Sequence, residues 1–201
     1  MKDYVFFPLA FLVAAAMVLG AMSVGHGQPP CGPMGGAKGP NDYSRVEISD
    51  GDLCRMKAAG GSQVELIKVG SAQPFVRITI DQASLDEYVE RGPHIPLGPD
   101  LETVFAGQGL RITISARPSA RAGAEEMEIN YDTGKAGGSG WQRIGLMPGW
   151  NTYQLTVNVP EKLLKEAVAL DYLGLRPVPG DKARSVEVRS IVFERLMTPQ
   201  G

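Results

Sequence analysis

The chain has 201 residues, with 20 Lys and Arg against 22 Asp and Glu and a formal net charge of −2. That balance excludes a nucleic-acid partner recognised through a basic surplus. The 25 Gly and 15 Pro point to a turn-rich β-architecture.

Residues 4–24 form an uncharged apolar run, YVFFPLAFLVAAAMVLGAMSV. At about 1.5 Å per residue such a run spans roughly 31 Å, the hydrocarbon thickness of a bilayer. We therefore expect residues 1–24 to act as a transmembrane signal-anchor helix. The competing expectation is a cleaved signal peptide, but the run exceeds the ~7–15 apolar residues of a signal core. Lys2 before the run places the amino terminus in the cytoplasm. The expectation is a single pass through the inner (cytoplasmic) membrane, with the C-terminal domain periplasmic or otherwise extracytoplasmic.

Residues 25–42 read as a linker, with ten Gly or Pro between positions 25 and 40. No strand precedes these glycines and no Gly-Lys-Ser/Thr follows, so they do not make a phosphate loop. Cys31 and Cys54 are the chain's two cysteines. In an exported domain an isolated pair is expected to be a disulfide. It would close a loop of about 24 residues and contribute ~3 kcal/mol by the chain-entropy model.

Residues 43–201 are expected to form one β-sandwich domain. RVEIS (45–49) precedes the turn Asp50-Gly51-Asp52. VELIKV (64–69) and FVRITI (75–80) flank a Gly- and Pro-containing loop. Ser84 and Glu87 have capping-box spacing, which predicts a short helix over 85–91. A loop through Pro93, His94, Pro96 and Pro99 follows. In LRITISARP (110–118) Ile112, Ile114 and Ala116 face one way, and Arg111, Thr113, Ser115 and Arg117 the other. EMEINY (126–131) alternates likewise. TGKAGGSG (133–140) reads as a hairpin loop, since no helix follows it. WQRIGLM (141–147) and WNTYQLTVNV (150–159) place Ile144, Leu146, Tyr153, Leu155, Val157 and Val159 inward. A turn or two of helix fits 161–168, where Glu161–Lys165 and Lys162–Glu166 have i,i+4 spacing. LDYLGLRP (170–177) and SVEVRSIVFERL (185–196) close the domain. The apolar phase of the last strand slips between Val188 and Ile191, which predicts a β-bulge. The fold class is all-β: a sandwich of about nine strands with one or two short helices.

The C-terminal half resembles the jelly-roll, galactose-binding-like domains found in many carbohydrate-binding modules. The residues that carry the resemblance are Gly149-Trp150-Asn151-Thr152-Tyr153 opening a strand that ends Val159-Pro160, then LGLRPV (173–178), then the closing strand. It spans residues 110–196 and extends loosely over 43–80. The resemblance implies a jelly-roll β-sandwich, and a structural calcium near the first strand, with Asp50 and Asp52 as candidate ligands beside the plain Asp-Gly turn reading. No other cofactor is expected.

No nucleophile–base pair, His cluster or nucleotide loop is present in the sequence, so an enzyme is not expected. Trp141 and Trp150 fall in phase with polar residues, and with Arg143, Gln154 and Asn158 they are the candidates for a binding face. Two functions compete, the first being the main expectation and the second its alternative. The first is a membrane-anchored accessory or scaffold subunit, with the lipid bilayer and the subunits of a larger membrane complex as partners. The second is a membrane-tethered carbohydrate-binding module with a glycan partner.

Overall fold

A computed structural model of the chain describes Cys31, residues 42–161 and residues 170–196. The chain divides into two compact units, Met1–Gly32 and Pro33–Gly201. The expected anchor over residues 1–24, nearly all of the linker, and all but Glu161 of the helix expected over 161–168 lie outside the described residues. No helix among the described residues is long and apolar enough to cross a membrane. Neither cysteine is free: Cys31 and Cys54 are both disulfide-bonded.

Ten strands are described. They are β1 (Arg45–Ser49), β2 (Gln63–Ile67), β3 (Phe75–Ile80), β4 (His94–Leu97), β5 (Gly109–Pro118), β6 (Glu126–Asp132), β7 (Gln142–Gly145), β8 (Asn151–Asn158), β9 (Asp171–Pro177) and β10 (Arg184–Leu196). All the strand pairings are antiparallel. The first sheet has six strands in the order β2-β3-β10-β5-β8, with β1 also on β10. The second has four, β4-β9-β6-β7. β10 organises the first sheet. Its first half pairs with β3 and its second half with β1, while β5 runs along its other side.

The core follows from two-residue alternation. Leu110, Ile112, Ile114 and Ala116 of β5 and Tyr153, Leu155 and Val157 of β8 are buried. They pack with Met127, Ile129 and Tyr131 of β6 and Leu173 and Leu175 of β9 from the other sheet. The register shift between Val188 and Ser190 is the expected bulge. It moves the inward set from Val186 and Val188 to Ile191 and Phe193, so that both halves of a 13-residue strand keep an apolar inner face.

Two local expectations are corrected. The helix predicted over 85–91 is replaced by two 3-10 turns, Gln82–Ser84 and Val89–Arg91. Asp81 Oδ1 accepts both the backbone N–H of Ser84 (3.0 Å) and its hydroxyl (2.6 Å), so Ser84 is engaged upstream and caps nothing. The proline-rich loop after it holds instead β4 and a short helix, α1 (Pro99–Phe105). Pro96 is tolerated because β4 is the edge strand of its sheet and pairs with β9 alone among the named strands, while the bridge to Lys57 on its other side is made at His94. Pro99 stands in the first turn of α1, where its fixed φ suits a helix start and its missing N–H costs nothing. Leu101 and Phe105, four residues apart, are both buried, and Phe105 stacks on Phe193 with centroids 5.9 Å apart.

The Asp50-Gly51-Asp52 turn opens a 3-10 helix, Asp50–Arg55, and Asp50 has φ of 51°. Asp52 Oδ1 accepts from Arg55 Nη2 at 3.2 Å. Among the described residues no three Asp, Glu, His or Cys side chains gather as a metal site.

Candidate functional site

The five side chains proposed from sequence as one binding face divide between the two outer faces of the sandwich. Trp141 and Arg143 belong to the outer face of the second sheet. Trp150, Gln154 and Asn158 belong to that of the first.

On the second sheet Trp141 is half-buried and fully engaged. Its Nε1 donates to the Glu87 carbonyl at 3.0 Å, and the Arg176 guanidinium lies 3.7 Å from its ring centroid. Arg176 is itself buried. Its Nε donates to Glu128 Oε2 (2.9 Å) and its Nη1 to the Asp86 carbonyl. Position 174 must be glycine for this to close. A Cβ there would stand 2.7 Å from Trp141 Cη2 and 2.8 Å from Val89 Cγ1. Trp141, Arg176 and the buried Val89 therefore fasten the segment 82–91 across the sheet. Arg143 is taken up by Glu128 (3.0 Å) and Glu126 (3.6 Å). His94 Nδ1 lies 2.8 Å from the Gly92 carbonyl, and its ring meets Tyr172 edge-on at 5.2 Å. This face works as a structural join.

The first sheet's outer face is different. Alternation turns Phe75, Arg77 and Thr79 of β3 outward while Val76, Ile78 and Ile80 enter the core. Arg77 and Arg117 stand on either side of Glu187 in the register of three neighbouring strands. Arg77 Nη2 donates to Glu187 Oε1 at 2.8 Å, Arg117 Nε to Oε2 at 2.7 Å, and Ser119 Oγ to Oε1 at 3.1 Å. The Glu187 carboxylate is almost fully buried by these donors, with 2% of its side chain exposed. Burial raises its pKa, but hydrogen bonds from Arg77, Arg117 and Ser119 and the charge of Arg117 outweigh this and hold it below the usual carboxylate value.

Trp150 stands at the end of this row, just before β8. It meets Phe75 edge-on with centroids 5.8 Å apart. The guanidinium of Arg117 lies 4.4 Å from its ring centroid and that of Arg189 4.9 Å. Arg189 sits at the bulge of β10 and its Nε donates to Ser115 Oγ at 2.9 Å. Beyond Trp150 the outward positions of β8 are the exposed Thr152, Gln154, Thr156 and Asn158. Their partners on β5 are Ser115, Thr113, Arg111 and Gly109. The next residue row continues to Ser190 and then Ser49. The result is a flat plate of hydroxyl and amide groups beside an aromatic pair flanked by two guanidiniums. Gln154 lies about 13 Å along the strand from Trp150 and Asn158 about 26 Å, so Asn158 stands at the far end of the plate.

Sequence alternation found Trp150, Gln154 and Arg117. It missed Phe75, although FVRITI carries the signal: Phe75 shares its phase with Arg77 and Thr79. It also could not tell that Glu128 and Arg143 belong to a different sheet, because pairing partners are not written in strand phase.

No protein-family model matches the chain, and no curated protein matches it. Among solved structures it is similar to the CBM22-1 xylan-binding domain from Paenibacillus barcinonensis Xyn10C, at 11% identity and a TM-score of 0.49, over 76% of this chain and 94% of that one. The CBM22-2 xylan-binding domain of the same protein gives 11% and 0.49, over 76% of this chain and 98% of that one. The carbohydrate-binding module CBM6cm-2 from Cellvibrio mixtus lichenase 5A, in complex with cellotriose, gives 12% and 0.41, over 75% and 97%. At these values neither ligand nor site residues transfer from these proteins to this chain.

Proposed function

We propose that this chain is a non-catalytic glycan-binding module, and that the outer face of its first sheet is the binding surface. The observation that carries the proposal is Trp150. It is a half-buried indole set against Phe75 on an otherwise polar sheet face, at the head of an exposed row of Thr152, Gln154 and Thr156. Sugar rings offer an apolar face for aromatic contact and a rim of hydroxyls for amide, hydroxyl and guanidinium partners. The plate supplies both kinds of group on one rigid six-stranded sheet. The membrane tether expected from residues 4–24 belongs to the same proposal, as the device that holds the module at a cell surface.

A second reading has its own support. The far end of the plate carries the mixed-charge row Arg45, Glu194 and Arg111, which suits a polar protein interface. On that reading the sandwich is an accessory subunit packed against a membrane complex.

Affinity electrophoresis in gels containing soluble polysaccharides separates the two. The glycan reading predicts retardation by at least one polysaccharide and its loss in Trp150→Ala, with Trp141→Ala still retarded if folded. The accessory reading predicts no retardation, and a stoichiometric partner recovered in mild detergent.

A further inference from the structure

We infer that the glycan recognised at this face is acidic, with a carboxylate of a uronic acid residue received by Arg189 and Arg117 beside Trp150. This rests on the glycan-binding reading and adds the chemical class of the ligand. Three guanidiniums, Arg77, Arg117 and Arg189, meet two carboxylates, Glu187 and Glu65. Glu187 is buried under its donors, and Glu65 reaches Arg77 only at 4.0 Å from an exposed position. The cluster therefore keeps a positive surplus, and it is located at the indole.

Arg189 is the cation that accounts for the surplus. Among the described residues it forms no ion pair. Its one hydrogen bond runs from Nε to Ser115 Oγ at 2.9 Å. Arg117 likewise uses Nε, on Glu187 Oε2. The terminal Nη1 and Nη2 amines of both make no hydrogen bond among the described residues. Two arginines held by their Nε atoms, each within 5 Å of the same ring centroid, present unspent paired donors. That fork is the geometry that takes a carboxylate in two parallel hydrogen bonds.

Their positions are fixed before any ligand arrives. Arg117 is held by the buried Glu187, and Arg189 by Ser115 and by the bulge that turns it outward. Little ordering remains to be done on binding, which favours affinity. A neutral polysaccharide would use the hydroxyl plate and leave these donors to water. A polyuronate uses both, with the sugar ring beside the indole and its carboxylate on the guanidiniums.

The test is affinity electrophoresis and calorimetric titration of the full chain with polygalacturonate and with the same polymer after carboxyl reduction. The two differ in the carboxylate and share length and linkage. The expected result is binding of polygalacturonate at least tenfold tighter than of the reduced polymer. Arg189→Gln should lose about tenfold toward the acidic polymer while leaving the reduced one unchanged. Arg189→Lys should recover part of it, as a charge without the fork. Circular dichroism checks that each variant is folded. Equal binding of the acidic and reduced polymers, or an Arg189→Gln variant that binds polygalacturonate like the parent, overturns the acidic assignment and leaves the glycan reading standing. Failure of the folded chain to bind either of these or a panel of neutral and other acidic polysaccharides overturns both.

Discussion

At the residue scale, the two tryptophans carry opposite assignments that one pair of substitutions can separate. Trp141 is spent on Arg176 and on the Glu87 carbonyl. Trp141→Ala is expected to cost roughly 2–3 kcal/mol, below the range for fully buried aromatics because the ring is only half covered. Trp150→Ala is expected to cost less stability and to abolish polysaccharide retention. Chemical denaturation alongside gel retardation reads both effects. Glu187 adds a pH dependence with a definite sign. Its carboxyl titrates below its ordinary value of 4.5 in the fold. The unfolded chain therefore binds the proton more readily. The stability gained from the Arg77–Glu187–Arg117 cluster is complete above the unfolded-state pKa and is lost as pH falls through the folded-state value. A plot of Tm against pH should drop on its acid side, and Glu187→Gln should lower Tm at neutral pH and flatten that drop. An acid limb identical in the two proteins would refute this role for Glu187.

At the scale of elements, the segment 82–91 and the sheet beneath it form one unit. Gly174 is a point of close packing within it, since an added Cβ meets both Trp141 and Val89 at under 3 Å. Gly174→Ala is expected to destabilise by about 1–3 kcal/mol through overpacking, and to make the segment 82–91 the first site of limited proteolysis. Cleavage there no faster than in the parent protein would show that the segment is held by something else. Much of the element structure was legible in the sequence. Clean alternation placed the inner and outer rows of β5, β6 and β8, and the slipped phase of β10 marked its bulge. What was not legible has physical causes. Pro93, Pro96 and Pro99 read as a loop, because edge-strand proline and helix-start proline look alike until pairing is known. Ser84 and Glu87 have capping-box spacing, but Asp81 had already taken the Ser84 hydroxyl. A capping box is a statement about two residues, and a third residue decided the outcome.

At the scale of the whole molecule, the two outer faces of the sandwich differ in what is left over. The second sheet's polar outer residues are consumed by one another and by the covering segment: Arg176 by Glu128, Asp86 and Trp141, and Arg143 by Glu128 and Glu126. The first sheet keeps the terminal amines of Arg189 and Arg117 and the Thr152–Gln154–Thr156 row unspent. That asymmetry could not be read from strand phase, which assigned Trp141 and Trp150 to one polar class without saying which sheet each served. It is also why the candidate site reduces to one tryptophan. Hydrogen exchange should reflect the same architecture. β10 pairs on both sides with β1, β3 and β5 and should exchange slowest, while the edge strand β2 should exchange fastest. Slow exchange of β2 in the free protein would mean that its edge is covered.

The glycan-binding face is tested most directly by the two indole N–H signals in a two-dimensional 1H–15N spectrum, recorded as oligogalacturonate is added. Each tryptophan gives one signal, so Trp141 on the opposite sheet serves as the internal control. The account predicts a saturable shift of the Trp150 signal with the Trp141 signal unmoved. A shift confined to Trp141, or a Trp150 signal that stays in place under conditions where the chain demonstrably binds the sugar, would contradict it.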